Sequence, residues 1–118
     1  MFREAERALH EKLVRGQITA YRDEGTRVIA ADLEGWPKPD KIGRHIPDII
    51  AERGGQRIYN ECETCETIGL DQTRAQYEDF SRAGILEVTV PESCLGDAER
   101  YAIMWGIKVN QWWHVPGV

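Results

Sequence analysis

Hydrophobic residues recur at helical spacing at the start of the chain. Over residues 2–22 the apolar positions Phe2, Leu9 and Leu13 lie seven and four residues apart, and no proline interrupts them. This spacing predicts an amphipathic helix. Glu6 lies three and seven residues before two of these leucines, so it is predicted to point inward with the apolar stripe. A buried carboxylate is costly unless it has a partner, which makes Glu6 a candidate site residue.

Two more helices are predicted further along the chain. The first covers residues 70–83, with Asp71 as its N-cap and Gly84 as its end. The second covers residues 92–105 and ends at Gly106. Both segments lack internal proline, as helices of this length require.

Short segments rich in β-branched residues predict strands. They are residues 26–33, 48–53, 56–63, 85–91 and 107–115. Residues 35–47 hold three prolines and two glycines, which predict an irregular loop. The order helix, three strands, helix, strand, helix, strand predicts one α/β domain over residues 1–118.

The two middle strands are separated by Gly54-Gly55, a favoured two-residue hairpin turn. With these glycines as the loop, Arg57 falls opposite Glu52, a favourable cross-strand pair. The same register sets Asp48 opposite Glu61. Directly opposed residues share one face of the sheet, with Cβ atoms roughly 5 Å apart.

Acidic side chains are predicted to cluster at the open end of this hairpin. Glu61 and Glu63 alternate in one strand, so they lie on one face together with Asp48. The opposite face is apolar and carries Ile49, Ala51, Ile58 and Cys62. Like charges so close destabilise the sheet or raise a pKa, and a divalent cation such as Mg²⁺ removes that cost. The alternative is a solvated acidic face on an exposed edge strand.

Composition favours a soluble globular protein, since the chain is 42% hydrophobic and 30% charged. No apolar segment approaches the roughly 20 residues that span a bilayer, and the charged N-terminus is unlike a signal peptide. The expected location is the cytoplasm, with no membrane partner. The net charge of −5 is uneven, because residues 36–58 hold five bases against three acids while residues 59–118 hold four against ten. The average charge therefore does not exclude a nucleic-acid partner.

Three cysteines do not make a disulfide framework. Cys62 and Cys65 form a CxxC pair, which allows a zinc-site alternative, although Cys94 and three isolated histidines are the remaining candidate ligands. In the alternative interpretation, Cys62 is a small, buried, apolar side chain and not a metal ligand.

The pattern Pro47-Asp48 followed by Glu61-Cys62-Glu63 resembles the PD-(D/E)XK nuclease superfamily, with Glu63 in place of the lysine. Glu6-Arg7-Ala8-Leu9 and Gly25-Thr26-Arg27-Val28 are similar to segments of archaeal Holliday junction resolvases, and the likeness covers about residues 3–90. The resemblance implies a restriction-endonuclease-like αβββαβ core, a mixed sheet flanked by helices. It also implies an Mg²⁺-dependent endonuclease, a hydrolase that cuts phosphodiester bonds in duplex or branched DNA. The alternative is a catalytically inactive binding module of the same fold.

By that resemblance, Asp48, Glu61 and the backbone carbonyl of Cys62 hold Mg²⁺, with Mn²⁺ as a substitute. Glu6 contributes an outer carboxylate. Glu63 either accepts a proton as a general base, binds a second metal ion, or marks lost activity. In a further alternative, Lys41 or Arg44 supplies the missing positive charge.

Several polar residues outside the acidic cluster are candidate contacts with DNA. On the second helix Gln76 is either a site residue or a hydrogen-bonded buried amide. The loop before Asp48 is either a nucleic-acid contact or a flexible surface loop, and its candidate residues are Lys38, Lys41, Arg44 and His45. Trp112 and Trp113 are adjacent, so one is predicted to face outward, where it favours an interface. A homodimer is expected, because a small nuclease core has little surface with which to enclose a duplex.

Overall fold

Five strands lie in one sheet in their order along the chain. A computed structural model describes residues 4–118, so the predicted contribution of Phe2 lies outside the described residues. The strands are β1 (Arg27–Ala31), β2 (Ile49–Arg53), β3 (Gln56–Cys62), β4 (Ile85–Val90) and β5 (Gln111–His114). β1, β2 and β3 pair antiparallel, whereas β3, β4 and β5 pair parallel, so the sheet is mixed.

The helices lie close to their predicted positions. They are α1 (Glu4–Asp23), α2 (Asp71–Ala83) and α3 (Leu95–Trp105), the last preceded by a 3₁₀ turn at Glu92–Cys94. The prediction of Asp71 as an N-cap is wrong, because Leu70 occupies that position and Asp71 begins the helix. Gly106 ends α3 with φ 67°, a left-handed conformation that glycine adopts without strain. None of the helices within residues 4–118 is long and apolar enough to cross a membrane.

Each face of the sheet carries its own hydrophobic core, because alternate residues of every strand point to opposite faces. On one face α1 packs through Leu13, Val14 and Ile18 against Ile49 and Ile58. On the other face the packed residues come mainly from α2, α3 and the even-numbered positions of β4, and they include Tyr77, Phe80, Leu86, Val88 and Ala98. The α/β class and the mixed sheet flanked by helices are thus confirmed.

The Gly54-Gly55 hairpin has the predicted register. Both glycines have positive φ values, 59° and 80°, as a tight two-residue turn requires. Glu52 pairs with Arg57 in the ladder, and the last ladder pair is Ile49 with Asn60. The side chain of Glu52, however, binds Arg27 of β1 at 3.0 Å rather than the predicted cross-strand arginine. The register therefore follows from the turn, not from that ion pair.

The last strand is shorter than predicted. Residues 107–110 are irregular, and only Gln111–His114 pair with β4. Trp112 packs against the core on the α2 and α3 side, while Trp113 packs against the core on the α1 side. The prediction that one tryptophan faces outward is wrong, because helices cover both faces of the sheet. The tryptophans consequently give no support to a dimer interface.

A disulfide joins Cys65 and Cys94, whose Cα atoms lie 5.7 Å apart. The zinc alternative is wrong for this state of the chain, because Cys65 is already covalently paired. Cys62 is a free cysteine, buried as expected. The bond links the loop after β3 to the 3₁₀ turn after β4. Disulfides are uncommon in reducing compartments, so this one weighs against the cytoplasmic prediction.

Removal of the disulfide is expected to destabilise the fold. The bond closes a sequence separation of 29 residues, so we expect the double variant Cys65→Ser/Cys94→Ser to lose about 3 kcal/mol of unfolding free energy. Urea denaturation without reductant measures this difference. A dithiol reductant should lower the stability of the wild type and leave the double variant unchanged. An equal response of both proteins would show that the bond does not form.

A buried carboxylate on β4, not predicted from the sequence, links three elements on the α1 side of the sheet. Tyr21 and Trp113 both donate to Glu87 Oε1, each at 2.8 Å. Arg53 donates to Glu87 Oε2 at 2.7 Å. Every oxygen of Glu87 is therefore bonded, which is what a buried charge needs in order to be tolerated.

Candidate active site

A cavity of about 750 Å³ opens where the β2–β3 hairpin ends. Helix α1 forms one wall and the start of α2 forms another. The sequence-predicted residues that line it are Glu6, Lys38, Asp48, Glu61, Cys62, Glu63 and Gln76. The residues added by the structure include Arg7, His10, Thr67 and Thr73. The acidic cluster predicted from the hairpin therefore lies in a concave site rather than on a flat solvated face.

Backbone pairing sets Asp48 beside Glu61. Asp48 extends the hairpin by one residue, since its N–H donates to the Asn60 carbonyl at 3.1 Å. The same N–H lies 3.2 Å from Glu61 Oε1, and the Cys62 N–H donates to Asp48 Oδ2 at 2.8 Å. These contacts confirm that Asp48 and Glu61 face one another.

The three carboxylates are nearly inaccessible to water. Asp48 is 8% exposed, and Glu61 and Glu63 are each 4% exposed. Burial raises the pKa of Glu61 well above its ordinary value, and the charges of Asp48 and Glu63 raise it further. Burial also raises the pKa of Glu63, to about 7, although a hydrogen bond from the Thr67 hydroxyl acts in the opposite direction. Burial and the neighbouring carboxylates therefore disfavour the charged forms of Glu61 and Glu63.

Glu6 reaches the same cavity from α1. Its Oε2 accepts a hydrogen bond from the Thr64 hydroxyl at 2.7 Å. Thr64 directly follows Glu63, so this bond ties the first turns of α1 to the loop after β3. The inward orientation of Glu6 predicted from the helical spacing is confirmed.

His10 is the main residue that sequence reasoning missed. Its Nε2 lies 3.2 Å from Asp48 Oδ1, and its side chain is only 14% exposed. Burial lowers the pKa of His10, but the hydrogen bond and charge of Asp48 outweigh this and raise it above the ordinary value. The sequence signal was its position one helical turn after Glu6, on the same side of α1.

The carboxylate oxygens of the cavity are of a type that binds divalent cations, although they do not surround one point. Within residues 4–118 no three His, Cys, Asp or Glu side chains converge as metal ligands. The carboxylates instead accept internal hydrogen bonds from Thr64, Thr67 and Cys62. The Tyr77 hydroxyl has no hydrogen-bond partner among the described residues. Burial raises its pKa, and the charges of Glu63 and Glu61 raise it further. Carboxylate oxygens of this kind fit an ion that keeps several of its own water molecules.

The basic residues of the loop before Asp48 fall into two groups. Lys38 lines the cavity and donates to the Leu33 carbonyl at 3.1 Å. Arg44 and His45 instead bind Asp79 of α2, through the Arg44 N–H at 2.9 Å and His45 Nδ1 at 2.8 Å. Lys41 is exposed and, like these two, does not line the cavity. The loop is thus fastened to α2, which differs from the flexible-loop alternative.

Asp79 is expected to make the stability of this loop depend on pH. Hydrogen bonds from the Arg44 N–H and from His45 hold the pKa of Asp79 well below its ordinary value of 3.8. A lowered folded-state pKa gives stability that is present above pH 3.8 and is lost as the pH falls toward the lower value. We expect Asp79→Asn to be less stable than the wild type at pH 7, and the difference to shrink below pH 3.8. Urea midpoints at pH 7, 4 and 2.5 test this, and a difference independent of pH would contradict it.

Comparison with known proteins does not extend the functional assignment. No protein-family model, no curated protein and no solved structure matches this chain. The side chains of the cavity are therefore the basis for assigning its function.

Proposed function

We propose that this chain is a divalent-metal-dependent endonuclease that hydrolyses phosphodiester bonds in duplex or branched DNA. The supporting observation is the meeting of Asp48, Glu61 and Glu63, all buried, in one open cavity. Their spacing is that of the PD-(D/E)XK pattern. The order α1, β1, β2, β3, α2, β4 also agrees with the restriction-endonuclease-like core that this resemblance implies.

Asp48 and Glu61, together with the Cys62 carbonyl, are the proposed ligands of the metal, with Mg²⁺ as the expected ion. A divalent ion held there would polarise the phosphoryl oxygen, lower the pKa of a water molecule and offset the repulsion between the buried carboxylates and an incoming phosphate. Glu6 holds the loop that carries Glu63 through its bond to Thr64.

Glu63 is the proposed proton acceptor in place of the usual lysine. Its side chain lines the cavity, and the Thr67 hydroxyl orients one of its oxygens. Arg44 and Lys41, the alternative sources of the missing positive charge, lie outside the cavity. Arg44 is bound to Asp79, and Lys41 does not line the cavity. Arg7 and Lys38 line the cavity together with His10, and these two long basic side chains are the proposed contacts to the phosphate backbone.

A cleavage assay tests the proposal directly. Purified protein is incubated with duplex, single-stranded, flap and four-way DNA in Mg²⁺ or Mn²⁺, with EDTA as the control. Cleavage of at least one substrate that EDTA abolishes is the expected result. No cleavage of any of the four with either ion would contradict the proposal.

A catalytically inactive DNA-binding module of the same fold is the second candidate. It is favoured by the internal hydrogen bonds of the carboxylates and by the lack of a converged ligand set within residues 4–118. This candidate predicts DNA binding that is unaffected by millimolar Mg²⁺ or Mn²⁺, without cleavage. A fluorescence anisotropy titration with and without metal distinguishes the two.

A homodimer is also proposed for action on a duplex. The described part of the chain measures about 30 × 30 × 25 Å, so one copy has little surface with which to enclose DNA. Sedimentation equilibrium with and without a duplex tests this. A single copy bound to each cleaved duplex would contradict it.

A further inference from the structure

We infer that the Cys65–Cys94 disulfide is a redox switch of the cavity, and that its reduction by a dithiol slows DNA cleavage. The regulated activity is the proposed one, so this inference rests on the proposed function. The turn formed by residues 64–67 carries the disulfide in its middle, and each of its ends holds an acidic residue of the cavity.

The two ends of this turn position two carboxylates. The Thr67 N–H donates to the Thr64 carbonyl at 3.1 Å, which closes the turn around residues 65 and 66. The Thr64 hydroxyl donates to Glu6 at 2.7 Å. The Thr67 hydroxyl donates to Glu63. A displacement of the turn therefore moves the donors that orient both acids.

The disulfide fixes the middle of the turn to the core. Cys65 is exposed, whereas Cys94 is 5% exposed and packs in the core on the α2 and α3 side. The neighbouring Glu66 is exposed as well. Burial therefore does not hold the middle of the turn in place, and the covalent bond does. Reduction of this bond should let residues 65 and 66 move.

Other contacts limit how far the turn moves after reduction. Ile68 is buried, and the Thr73 hydroxyl on α2 donates to the Thr67 carbonyl. A displacement of about 1 Å at a reacting centre costs about 100-fold in rate. Because these contacts remain, we expect reduction to slow cleavage by a smaller factor, about 10-fold, while the fold stays intact.

The exposed cysteine gives a dithiol its point of attack. One thiolate of the dithiol attacks Cys65 Sγ, which forms a mixed disulfide and breaks the bond to Cys94; the Cys94 thiolate leaves and takes up a proton. The second thiolate of the dithiol then attacks the sulfur of its own molecule in the mixed disulfide, and Cys65 leaves and is protonated. The protein gains two electrons and two protons. The dithiol loses them and becomes a cyclic disulfide.

Cleavage rates in defined redox states test the inference. Wild type and Cys65→Ser/Cys94→Ser are assayed as purified and after treatment with dithiothreitol, which is removed under argon before metal ion is added. Thiol titration in denaturant should find one thiol in the oxidised wild type and three after reduction. The reduced wild type and the double variant should cleave about 10-fold more slowly than the oxidised wild type. Reoxidation should restore the rate of the wild type only.

Hydrogen exchange gives a second readout that needs no DNA. The amides of residues 64–67 should exchange faster in the reduced wild type and in the double variant, whereas those of β2, which lies between β1 and β3, should not change. Circular dichroism establishes whether each sample is folded. Unfolding of the reduced protein under assay conditions would overturn the switch, because the loss of rate would then reflect global stability.

Failure of the switch is distinguishable from failure of the proposed function. If the oxidised wild type cleaves none of the four DNA substrates with either ion, the proposed function is wrong. If it cleaves at the same rate before and after reduction, although the thiol count rises, the switch alone is wrong. Three thiols without reductant, or unchanged exchange at residues 64–67, would also overturn the switch.

Discussion

Asp48→Asn is expected to reduce metal-dependent DNA cleavage by about 100- to 1000-fold. The substitution removes the negative charge that faces both His10 Nε2 and the Cys62 N–H, while it preserves the shape of the side chain. Losses of this size follow when one electrostatic contribution at a reacting centre is removed. Single-turnover cleavage of the best substrate from the panel, in Mg²⁺ and in Mn²⁺, measures the effect.

The matched control for this loss is Asp40→Asn. Asp40 is an exposed carboxylate in the loop before Asp48 and does not line the cavity, so its removal should leave the cleavage rate unchanged. Glu61→Gln should lose cleavage as Asp48→Asn does, while its fold is as stable as the wild type or more so, because burial and the neighbouring carboxylates disfavour the charged form of Glu61. Cleavage by Asp48→Asn at the wild-type rate would show that the site is assigned wrongly.

Glu87→Ala is expected to lower the unfolding free energy by about 3 kcal/mol. The change leaves the Tyr21 hydroxyl, the Trp113 indole N–H and the Arg53 guanidinium without their shared acceptor. Loss of one partner of a buried ion pair costs about 3–5 kcal/mol, and the lower figure applies because Arg53 is partly exposed. Urea denaturation at pH 7.5 measures the difference.

Glu99→Ala serves as the control for Glu87→Ala. Glu99 is an exposed acid on α3, and surface substitutions of this kind change stability by about 0.5 kcal/mol or less. Glu87→Gln should fall between the control and Glu87→Ala, because the amide keeps an acceptor but loses the charge. A loss below about 1 kcal/mol for Glu87→Ala would show that the bonds to Glu87 contribute little.

Much of the fold followed from local signals in the sequence. The Gly54-Gly55 turn determined the hairpin register, because two glycines with positive φ leave one favoured pairing. That register in turn predicted the meeting of Asp48 with Glu61. Helical spacing predicted the inward side of α1 and with it the orientation of Glu6.

The features that escaped prediction depend on contacts between distant parts of the chain. The disulfide joins cysteines 29 residues apart, and no local pattern indicates which pair forms. Glu87 lies within an apolar strand, yet its partners come from α1, β2 and β5. The predicted start of β5 lies too early in the chain. Residues 107 and 109 are apolar because they pack on the core, but they lie outside any strand.

His10 shows why site residues are harder to predict than elements. Its position one turn after Glu6 was visible in the sequence, but the importance of that position depends on Asp48 lying across the cavity. Arg44 and His45 are the opposite case. Their basic character predicted contacts with DNA, whereas in the fold they bind Asp79. Residue type alone therefore predicted neither the contact of His10 with Asp48 nor the binding of Arg44 and His45 to Asp79.

A calorimetric titration of wild type and Asp48→Asn with Mn²⁺ decides whether the buried carboxylates form a site for a divalent cation. We expect saturable binding at or below millimolar ion to the wild type and to Asp40→Asn, and its loss in Asp48→Asn. Binding should also raise the melting temperature of the wild type, because the ion binds only the folded state. No saturable heat with the wild type, or equal heats with all three proteins, would show that these carboxylates do not bind a divalent cation.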